Sequence, residues 1–332
     1  METSEMRAPV NAISRQRLQQ SVASAIDPFV VHDERFEDVL GDAPTLAKVV
    51  ETDAHEGPVY VAEEDALYFT TLPRGRETGS PEVDIKRLAL DGTKFPLEQD
   101  RISVLRTRVH AGNGMALGHD GRLVVCEQGT LCGLARISRI DRRTGAAQTV
   151  LDAFDGRPLN SPNDVVVARD GAIWFTDPSY GHLQGFRPPP VLADSVYRHD
   201  PSSGRTDLVA SGFDKPNGLA FSPDERVLYV SDNGEPHDLV AFAVSDGALP
   251  GPGRVLAVGT PQHPDGLKVD SEGRIYASAS SGVQVLAPDG DLLGEILLPG
   301  AVNFCFGGAD RNILFITADT AIYAAQLNAK GA

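Results

Sequence analysis

Short runs of β-branched and aromatic residues alternate with Asp-Gly and similar turn signals along most of the chain. In one stretch the runs cover residues 165–168, 172–177, 195–200 and 206–210. Runs of this length, separated by tight turns, predict a meander of four antiparallel strands. The pattern recurs when the chain is aligned on a polar residue that opens an apolar run. Six repeats, spaced 57, 50, 54, 48 and 38 positions apart, open at Glu56, Asn113, Asn163, Asn217, Asp265 and Asn303.

Six four-stranded repeats of this length predict an all-β fold, a six-bladed β-propeller in one closed domain. The last repeat offers only three strands, at 303–306, 313–317 and 321–327. Thr45–Glu51 has strand character and precedes the first repeat, so we expect this N-terminal strand to complete the last blade and close the ring. The propeller then covers residues 37–328. Residues 1–36 form an N-terminal extension, partly helical or disordered, with a short surface helix expected over 15–25.

Loop length predicts which face of the propeller carries function. In a meander, the loops leading into the innermost strands emerge on the same face as the loops joining second to third strands. The long connections 72–81 and 178–193 are of the second kind, and long loops are common at functional sites. We therefore expect the six repeat-opening residues to converge around the channel at this face.

Four of these converging residues form an all-oxygen set, comprising Glu56, Asn163, Asn217 and Asp265. Two carboxylates and two amide carbonyls suit a hard divalent cation that keeps open positions for water or substrate. A carboxylate at Glu56 facing Asp265 in a narrow channel would be unfavourable without a cation. The alternative is that Asn and Asp here only form turns. We favour that alternative for Asn113 and Asn303, although Asn113 is also a candidate substrate contact.

Further candidate substrate contacts are Tyr180 and His182 in the 178–193 loop, where Phe186 could cover an apolar ring, and Glu127 at the end of a second strand. Glu127 shares its register with Asp177 and Asp232, and a strand-end cap is the alternative interpretation for this position. The same loop carries three consecutive prolines from Pro188, which predicts a semi-rigid lid over the channel mouth. His55 and His263 each precede a proposed ligand, and we expect supporting roles for them.

Composition and charge exclude several classes of partner. The 332 residues carry a formal charge of −16, and such a surface repels nucleic acid and anionic membranes. No apolar stretch is long enough to span a membrane, and residues 1–23 lack the pattern of a secretory leader. We therefore expect a cytoplasmic protein, monomeric or weakly homo-oligomeric, that acts on a small molecule. Cys126, Cys132 and Cys305 lack metal-site spacing and are expected to be small apolar side chains.

Several motifs then suggest a family. In order, Glu56-Gly-Pro-Val-Tyr, Ser161-Pro-Asn-Asp-Val-Val-Val, Pro216-Asn-Gly-Leu-Ala-Phe-Ser-Pro-Asp and Pro264-Asp-Gly-Leu-Lys-Val-Asp resemble motifs of the senescence-marker-protein/gluconolactonase (regucalcin-like) family. The resemblance runs from about Phe36 to Leu327. It implies a six-bladed lactone hydrolase with one divalent metal ion in the channel, Ca²⁺ in the first place and Zn²⁺, Mg²⁺, Mn²⁺ or Fe²⁺ as alternatives.

The resemblance also implies roles for individual residues. Glu56, Asn217 and Asp265 fall on the metal ligands of the family, and Asn163 falls on an asparagine that binds metal or substrate. Asp265 matches the proposed general base. Ser161 stands where animal members have an arginine, so their sugar contacts do not carry over. The 72–81 insertion and the first 36 residues lie outside the shared core.

The leading hypothesis is a metal-dependent lactonase that hydrolyses a small, sugar-derived, gluconolactone-like lactone. One alternative is the same metal site acting on another electrophile, such as a phosphotriester or a secondary-metabolite lactone. Another is a non-catalytic calcium-binding propeller. The sequence contains no Gly-Xaa-Ser-Xaa-Gly elbow and no nucleotide-binding glycine motif, so a serine-hydrolase mechanism is not indicated.

Overall fold

A computed structural model describes residues 27–75, 80–92, 94–235, 237–258 and 264–332. Within these residues, six antiparallel sheets of four or five strands surround a central channel, and a two-strand hairpin lies between two of them. The innermost strand of each sheet contacts the innermost strands of its two neighbours. The predicted six-bladed β-propeller is confirmed. No helix in the described ranges is long and apolar enough to cross a membrane.

The first three blades follow the chain from the inner to the outer strand. Blade one contains β3 (Ala54–Val61), β4 (Ala66–Thr71), β5 (Ile85–Ala89) and β6 (Ile102–Arg106). Blade two contains β7 (Gly112–Leu117), β8 (Leu123–Glu127), β9 (Arg136–Ile140) and β10 (Ala147–Leu151), and the hairpin β11 (Ala153–Phe154) and β12 (Arg157–Pro158) follows it. Blade three contains β13 (Val165–Val167), β14 (Ile173–Asp177), β15 (Ser195–Asp200) and β16 (Arg205–Ser211), with helix α2 (Tyr180–Leu183) after its second strand.

The remaining blades complete the ring. Blade four contains β17 (Pro216–Phe221), β18 (Val227–Asp232), β19 (Asp238–Ala243) and β20 (Arg254–Val258). Blade five contains β21 (Leu267–Val269), β22 (Ile275–Ala279), β23 (Gly282–Leu286) and β24 (Leu292–Leu297). Blade six contains β25 (Asn303–Gly307), β26 (Ile313–Thr317) and β27 (Ala321–Gln326), with β2 (Thr45–Glu51) as its outer strand.

The ring is closed by the N-terminal strand, as the sequence predicts. β2 runs antiparallel to β27, with Thr45 opposite Gln326 and Glu51 opposite Ala321. The beginning and the end of the propeller therefore share one sheet. Strand pairing along this joint supplies the backbone partners that the edge of β27 would otherwise lack.

The described part of the N-terminal extension contains a strand that the sequence pattern does not predict. β1 (Phe29–Val31) pairs with β24 and adds a fifth strand to blade five. A 3₁₀ turn (Glu34–Phe36) and helix α1 (Glu37–Leu40) follow, and the Phe36 ring is fully buried against this blade. Residues 29–36 thus pack on the propeller instead of leading away from it. The helix predicted over 15–25 lies outside the described residues.

The hydrophobic core is divided between the joints of the ring. Six clusters of buried apolar side chains each lie between two adjacent blades. Between blades two and three, for example, Ile137 packs near Phe175 and Tyr197, whose rings stack with centroids 5.4 Å apart. Each blade therefore buries both faces against its neighbours, which explains why β8, β14 and β26 are apolar without strict alternation.

Side-chain hydroxyl groups join the blades around the channel. A Ser or Thr near the end of a second strand donates a hydrogen bond to a backbone carbonyl at the start of the next blade. The bonds run from Thr70 to Asn113 (3.1 Å), Thr176 to Asn217 (2.8 Å), Ser231 to Asp265 (3.1 Å) and Thr317 to His55 (2.7 Å). These bonds fix the backbone at the candidate site residues or directly beside them.

Glycines allow the inner strands to approach closely at these joints. A Cβ atom at Gly57 would lie 2.6 Å from the Asn113 carbonyl oxygen, and one at Gly114 would lie 2.6 Å from that of Asn163. The Gly114 amide donates to this Asn163 oxygen at 2.8 Å. Any larger residue would separate the strands.

The packing of the N-terminal segment gives a first prediction. Phe36→Ala should destabilise the protein by about 3–5 kcal/mol, because a fully buried ring leaves a cavity behind. Gly294→Ala should also destabilise it, since its new Cβ would collide with the Phe36 ring. Chemical denaturation measures both effects. Val31→Ala, whose side chain is 47% exposed on the neighbouring strand, serves as the control, and equal midpoints for all four proteins would contradict this account.

Candidate active site

A cavity of about 240 Å³ opens at one end of the channel. The loops leading into the inner strands form its floor, and the loops between second and third strands form its walls. The residues that line it are His55, Glu56, Pro73, Pro81, Val83, Ala111, Gly112, Asn113, Gln128, Asn163, Tyr180, Gln184, Phe186, Asn217, Asn233 and Asp265. Eight of the residues singled out in the sequence are therefore brought together: His55, Glu56, Asn113, Asn163, Tyr180, Phe186, Asn217 and Asp265.

Glu127 does not reach the cavity, contrary to the prediction of a substrate contact. Its carboxylate is fully buried and accepts hydrogen bonds from Arg136 (2.8 Å) and Ser138 (2.5 Å). Asp177 ends the equivalent strand of blade three and accepts from the backbone amides of Asn160 and Ser161, at 2.9 and 2.8 Å. Carboxylates at this position therefore stabilise the end of the second strand.

His182 is also placed away from the cavity, contrary to prediction. It lies in the short helix α2, whose side chains face in different directions, and it is exposed to solvent. Tyr180, two residues earlier, points inward and lines the cavity. The sequence predicts a loop here, and a loop pattern does not show which side chain of a single helical turn faces inward.

The sixth repeat is shifted by one residue relative to the sequence alignment. Val302 donates its amide to the Thr317 carbonyl (2.9 Å), just as Asn163 donates to Thr176 (2.9 Å). Val302 therefore occupies the ring position predicted for Asn303. Blades one, two and four have a register shift immediately after this position, whereas the pairing of β25 with β26 is regular. Such bulges reset the direction of side chains, and counting positions in the sequence does not detect them.

Asn303 instead points at a carboxylate of the site. Its Nδ2 donates to Glu56 Oε2 at 2.7 Å, and its Oδ1 accepts from the Phe304 amide at 2.8 Å. Lys268 Nζ lies 3.4 Å from the same Oδ1. Both contacts to Oδ1 direct the amide nitrogen towards Glu56. One carboxylate oxygen of Glu56 is thereby held in place.

Two carboxylates face each other at the floor of the cavity. Glu56 is only 3% exposed, and burial raises the pKa of its carboxyl well above the ordinary value, with the charge of Asp265 raising it further. Burial also raises the pKa of Asp265, to about 6, with the nearby Asp164 carboxylate adding to the shift and hydrogen bonds with Glu56 and Asn217 opposing it. Two negative charges are therefore unfavourable here at neutral pH unless one carboxyl takes up a proton or a cation balances them.

Unpartnered oxygens at the same place fit such a cation. Asn163 Oδ1 and Asp265 Oδ1 are buried and have no hydrogen-bond partner among the described residues. The described ranges contain no group of three or more His, Cys, Asp and Glu side chains suited to a metal ion. A metal ion at this floor would therefore depend on amide oxygens as well as on the two carboxylates. The donor set is all oxygen, which suits a hard divalent cation.

The amide of Asn217 is oriented by the neighbouring loop. Its Nδ2 donates to the Tyr180 hydroxyl at 3.2 Å, and a hydrogen bond from Asn217 also partly offsets the rise that burial causes in the pKa of the Asp265 carboxyl. Tyr180 was expected only to contact substrate. Its contact with Asn217 means that the loop carrying it also influences the floor of the site.

Sequence reasoning missed several lining residues. These are Gln128, Gln184 and Asn233, which add neutral polar groups, whereas Phe186 adds an apolar wall in the loop where the sequence suggests it. His55 lines the cavity as well, with Nδ1 2.7 Å from Asp319 Oδ1, whereas His263 lies outside the described residues. Apart from His55, these residues lie in loops between second and third strands. The length of those loops, which indicated the functional face, was therefore the signal in the sequence that pointed to them. It could not select single side chains.

The chain resembles known proteins over most of its length. Residues 54–320 match the SMP-30/gluconolactonase/LRE-like region. A gluconolactonase of Zymomonas mobilis is 34% identical over 300 residues, which cover 85% of this chain and 81% of that protein. A gluconolactonase structure from Xanthomonas campestris has a TM-score of 0.77 at 35% identity, covering 91% of this chain and 96% of that one. The structure of a calcium-binding protein, regucalcin, from Agrobacterium tumefaciens has a TM-score of 0.66 at 18% identity, covering 86% and 95%, and shares the fold.

The buried pair of carboxylates gives a second prediction. Glu56→Gln keeps an acceptor for Asn303 but removes one of two buried like charges. After treatment with a chelator, the variant should therefore melt about 2–4 °C above the wild type for each kcal/mol of repulsion removed. Added Ca²⁺ should raise the melting temperature of the wild type and not that of the variant. Glu63→Gln, at an exposed position, controls for net charge. If metal-free Glu56→Gln is less stable than the metal-free wild type, the carboxylates of Glu56 and Asp265 do not repel each other.

Proposed function

Because this chain belongs to the SMP-30/gluconolactonase/LRE-like family, we propose that it is a metal-dependent lactonase that hydrolyses a small, sugar-derived, gluconolactone-like lactone. The observation that carries the proposal is the convergence of two carboxylates and two amides on one cavity floor. The names of the relatives support lactone hydrolysis. No nucleophilic serine or cysteine is among the described lining residues, so an activated water suits the site better than a covalent intermediate.

The residues proposed to hold the metal are Glu56, Asn163, Asn217 and Asp265. When bound there, a divalent cation supplies Lewis acidity for the lactone carbonyl and positive charge for the developing oxyanion. We propose Ca²⁺ because the donors are all oxygen and because a structural neighbour is named a calcium-binding protein. Asn303 and Tyr180 assist by holding Glu56 and Asn217 in place.

Asp265 is the proposed general base. Its carboxylate lines the cavity, where it can take a proton from a water molecule bound beside the substrate. It would take a proton from water as the water oxygen bonds to the carbonyl carbon. The same proton would pass to the ring oxygen when the carbon–oxygen bond of the ring breaks.

Polar residues above the floor are suited to the substrate hydroxyls. Asn113 Oδ1 is buried without a hydrogen-bond partner among the described residues and can accept from a hydroxyl. Gln128, Gln184 and Asn233 line the walls and can donate or accept. A cavity of about 240 Å³ admits one small ring.

A second candidate substrate follows from one wall of the cavity. Pro73, Pro81, Val83 and Phe186 present apolar atoms opposite the polar groups. A lactone with an apolar substituent, as in secondary metabolites, would bury that substituent there. This candidate uses the same chemistry at the floor and differs only in the substituents of the ring.

A substrate panel tests the proposed function. Proton release is measured with gluconolactone, an unsubstituted lactone, an alkyl-substituted lactone and a phosphotriester, using chelator-treated protein with and without added Ca²⁺. We expect calcium-dependent hydrolysis of lactones, with gluconolactone preferred. Preference for the alkyl lactone would favour the second candidate. Hydrolysis of the phosphotriester alone, or Ca²⁺ binding without hydrolysis, would refute the proposal.

The role of Asp265 gives a third prediction. Asp265→Asn keeps an oxygen ligand but removes the base, so kcat should fall by about 10²–10⁴-fold, measured at saturating Ca²⁺. Asp289→Asn, at an exposed turn, should retain wild-type kcat. Near-normal turnover of Asp265→Asn would show that Asp265 is not the general base. Calorimetry with Ca²⁺ would then measure its role as a metal ligand separately.

A further inference from the structure

The wall of the cavity formed by residues 178–193, here called the rim loop, is held by one buried arginine. Arg187 is only 7% exposed. Its guanidinium donates to four backbone carbonyls, those of Asn160 (3.0 Å), Leu159 (3.0 Å), Thr130 (3.1 Å) and Gly133 (2.8 Å). These acceptors lie in two other segments, the loop of blade two and the chain leading into blade three.

The geometry of these bonds requires an arginine. All three guanidinium nitrogens are used, and four N–H groups in one fixed plane reach four separate oxygens. A lysine ammonium has three donors on a single atom and cannot reproduce this arrangement. Gly181 in α2 lies directly against the Arg187 side chain, so that even a Cβ at this glycine would collide with it.

Other contacts attach the rim loop to the same segment. Ser161 Oγ donates to the Pro178 carbonyl at 2.6 Å and accepts from the Gly181 amide at 2.9 Å. Asn160 Nδ2 donates to the Leu192 carbonyl at 3.2 Å. Both ends of the rim loop are therefore fastened to residues 160–161. A loop fastened at its middle and at both ends behaves as a fixed wall, in contrast to the lid that its length and prolines predict.

The rim loop in turn touches the floor of the cavity. Tyr180, at the start of α2, accepts the hydrogen bond from Asn217 Nδ2 at 3.2 Å. Phe186 and Gln184, close to Arg187 in the chain, form part of the wall. A displacement of the loop would remove the hydrogen bond between Tyr180 and the Asn217 amide and would reshape the wall at the same time.

We propose that Arg187 is a positioning residue that clamps the rim loop as a static wall and, through Tyr180, holds the Asn217 amide with its oxygen towards the cavity. The metal-binding part of this inference rests on the proposed function. The clamping part does not, because it concerns only the contacts of Arg187. Substrate would then be selected by the shape of a preformed wall, without a loop-opening step.

Two variants distinguish the role of Arg187 in holding the rim loop from the role of Tyr180 in holding the Asn217 amide. Arg187→Met should raise the hydrogen-exchange rates of rim-loop amides about tenfold or more, since the loop loses four bonds. It should also weaken Ca²⁺ binding to chelator-treated protein by about tenfold in calorimetry, and raise KM more than it lowers kcat. Tyr180→Phe should weaken Ca²⁺ binding similarly without faster exchange. The double variant should bind Ca²⁺ no more weakly than Arg187→Met alone.

Further variants serve as controls. Arg187→Lys should show intermediate exchange, and Gly181→Ala should mimic Arg187→Met through a steric clash. Arg205→Met, at a side chain that is 74% exposed on an outer strand, should match the wild type throughout. Unchanged rim-loop exchange in Arg187→Met, or Arg187→Lys if the first does not fold, would overturn the clamp. Faster exchange with unchanged Ca²⁺ affinity would overturn the link to Asn217.

A failure of the proposed function would be recognised separately. If wild-type protein neither binds Ca²⁺ nor hydrolyses lactones, the proposed function is wrong, and hydrogen exchange alone then decides whether Arg187 clamps the loop. If the wild type is active and Arg187→Met changes neither exchange nor KM, the proposed function stands and the clamp is refuted.

Discussion

The close approach of the inner strands around the channel is the constraint on which the rest of the structure depends. At four joints a Ser or Thr hydroxyl bonds to a backbone carbonyl of the next blade, and glycines such as Gly57 and Gly114 leave no Cβ to keep the strands apart. The carbonyls that receive these bonds belong to site residues or to His55 beside Glu56. The bonds that assemble the ring therefore also set the backbone from which the site side chains extend.

Convergence at the axis concentrates charge. Glu56 and Asp265 are brought together by strands from different blades, and burial raises the pKa of both carboxyls. The protein opposes this repulsion with neutral amides and with Asn303 as a donor, but it leaves oxygens of Asn163 and Asp265 without partners among the described residues. Such an arrangement is unfavourable as a core and suitable as a binding site. A bound cation would convert the unfavourable charge into affinity, which explains why we propose a metal at this position.

The walls of the cavity follow a different principle from its floor. The floor is built from strand ends that the ring determines, whereas the walls come from loops whose lengths vary between blades. Arg187 gives one of these loops a fixed place by donating hydrogen bonds to four backbone carbonyls of two neighbouring segments. Variation in wall loops of this kind can change substrate preference while the metal-binding floor is retained.

Local patterns in the sequence determined the architecture of this protein. Strand runs, turn signals and the repeat spacing predict six four-stranded blades, and the missing strand of the last repeat leads to Thr45–Glu51 as the closing strand. The positions of Glu56, Asn163, Asn217 and Asp265 around one channel also follow, because equivalent positions of a ring must converge.

Only the tertiary structure decided the direction of individual side chains. Blade six lacks the bulge that follows the ring position in blades one, two and four, and Val302 stands where Asn303 was expected. Within the single turn of α2, Tyr180 faces inward and His182 is exposed. These directions depend on contacts between segments far apart in the chain, such as Arg187 with Thr130, and periodicity along the sequence carries no information about such contacts.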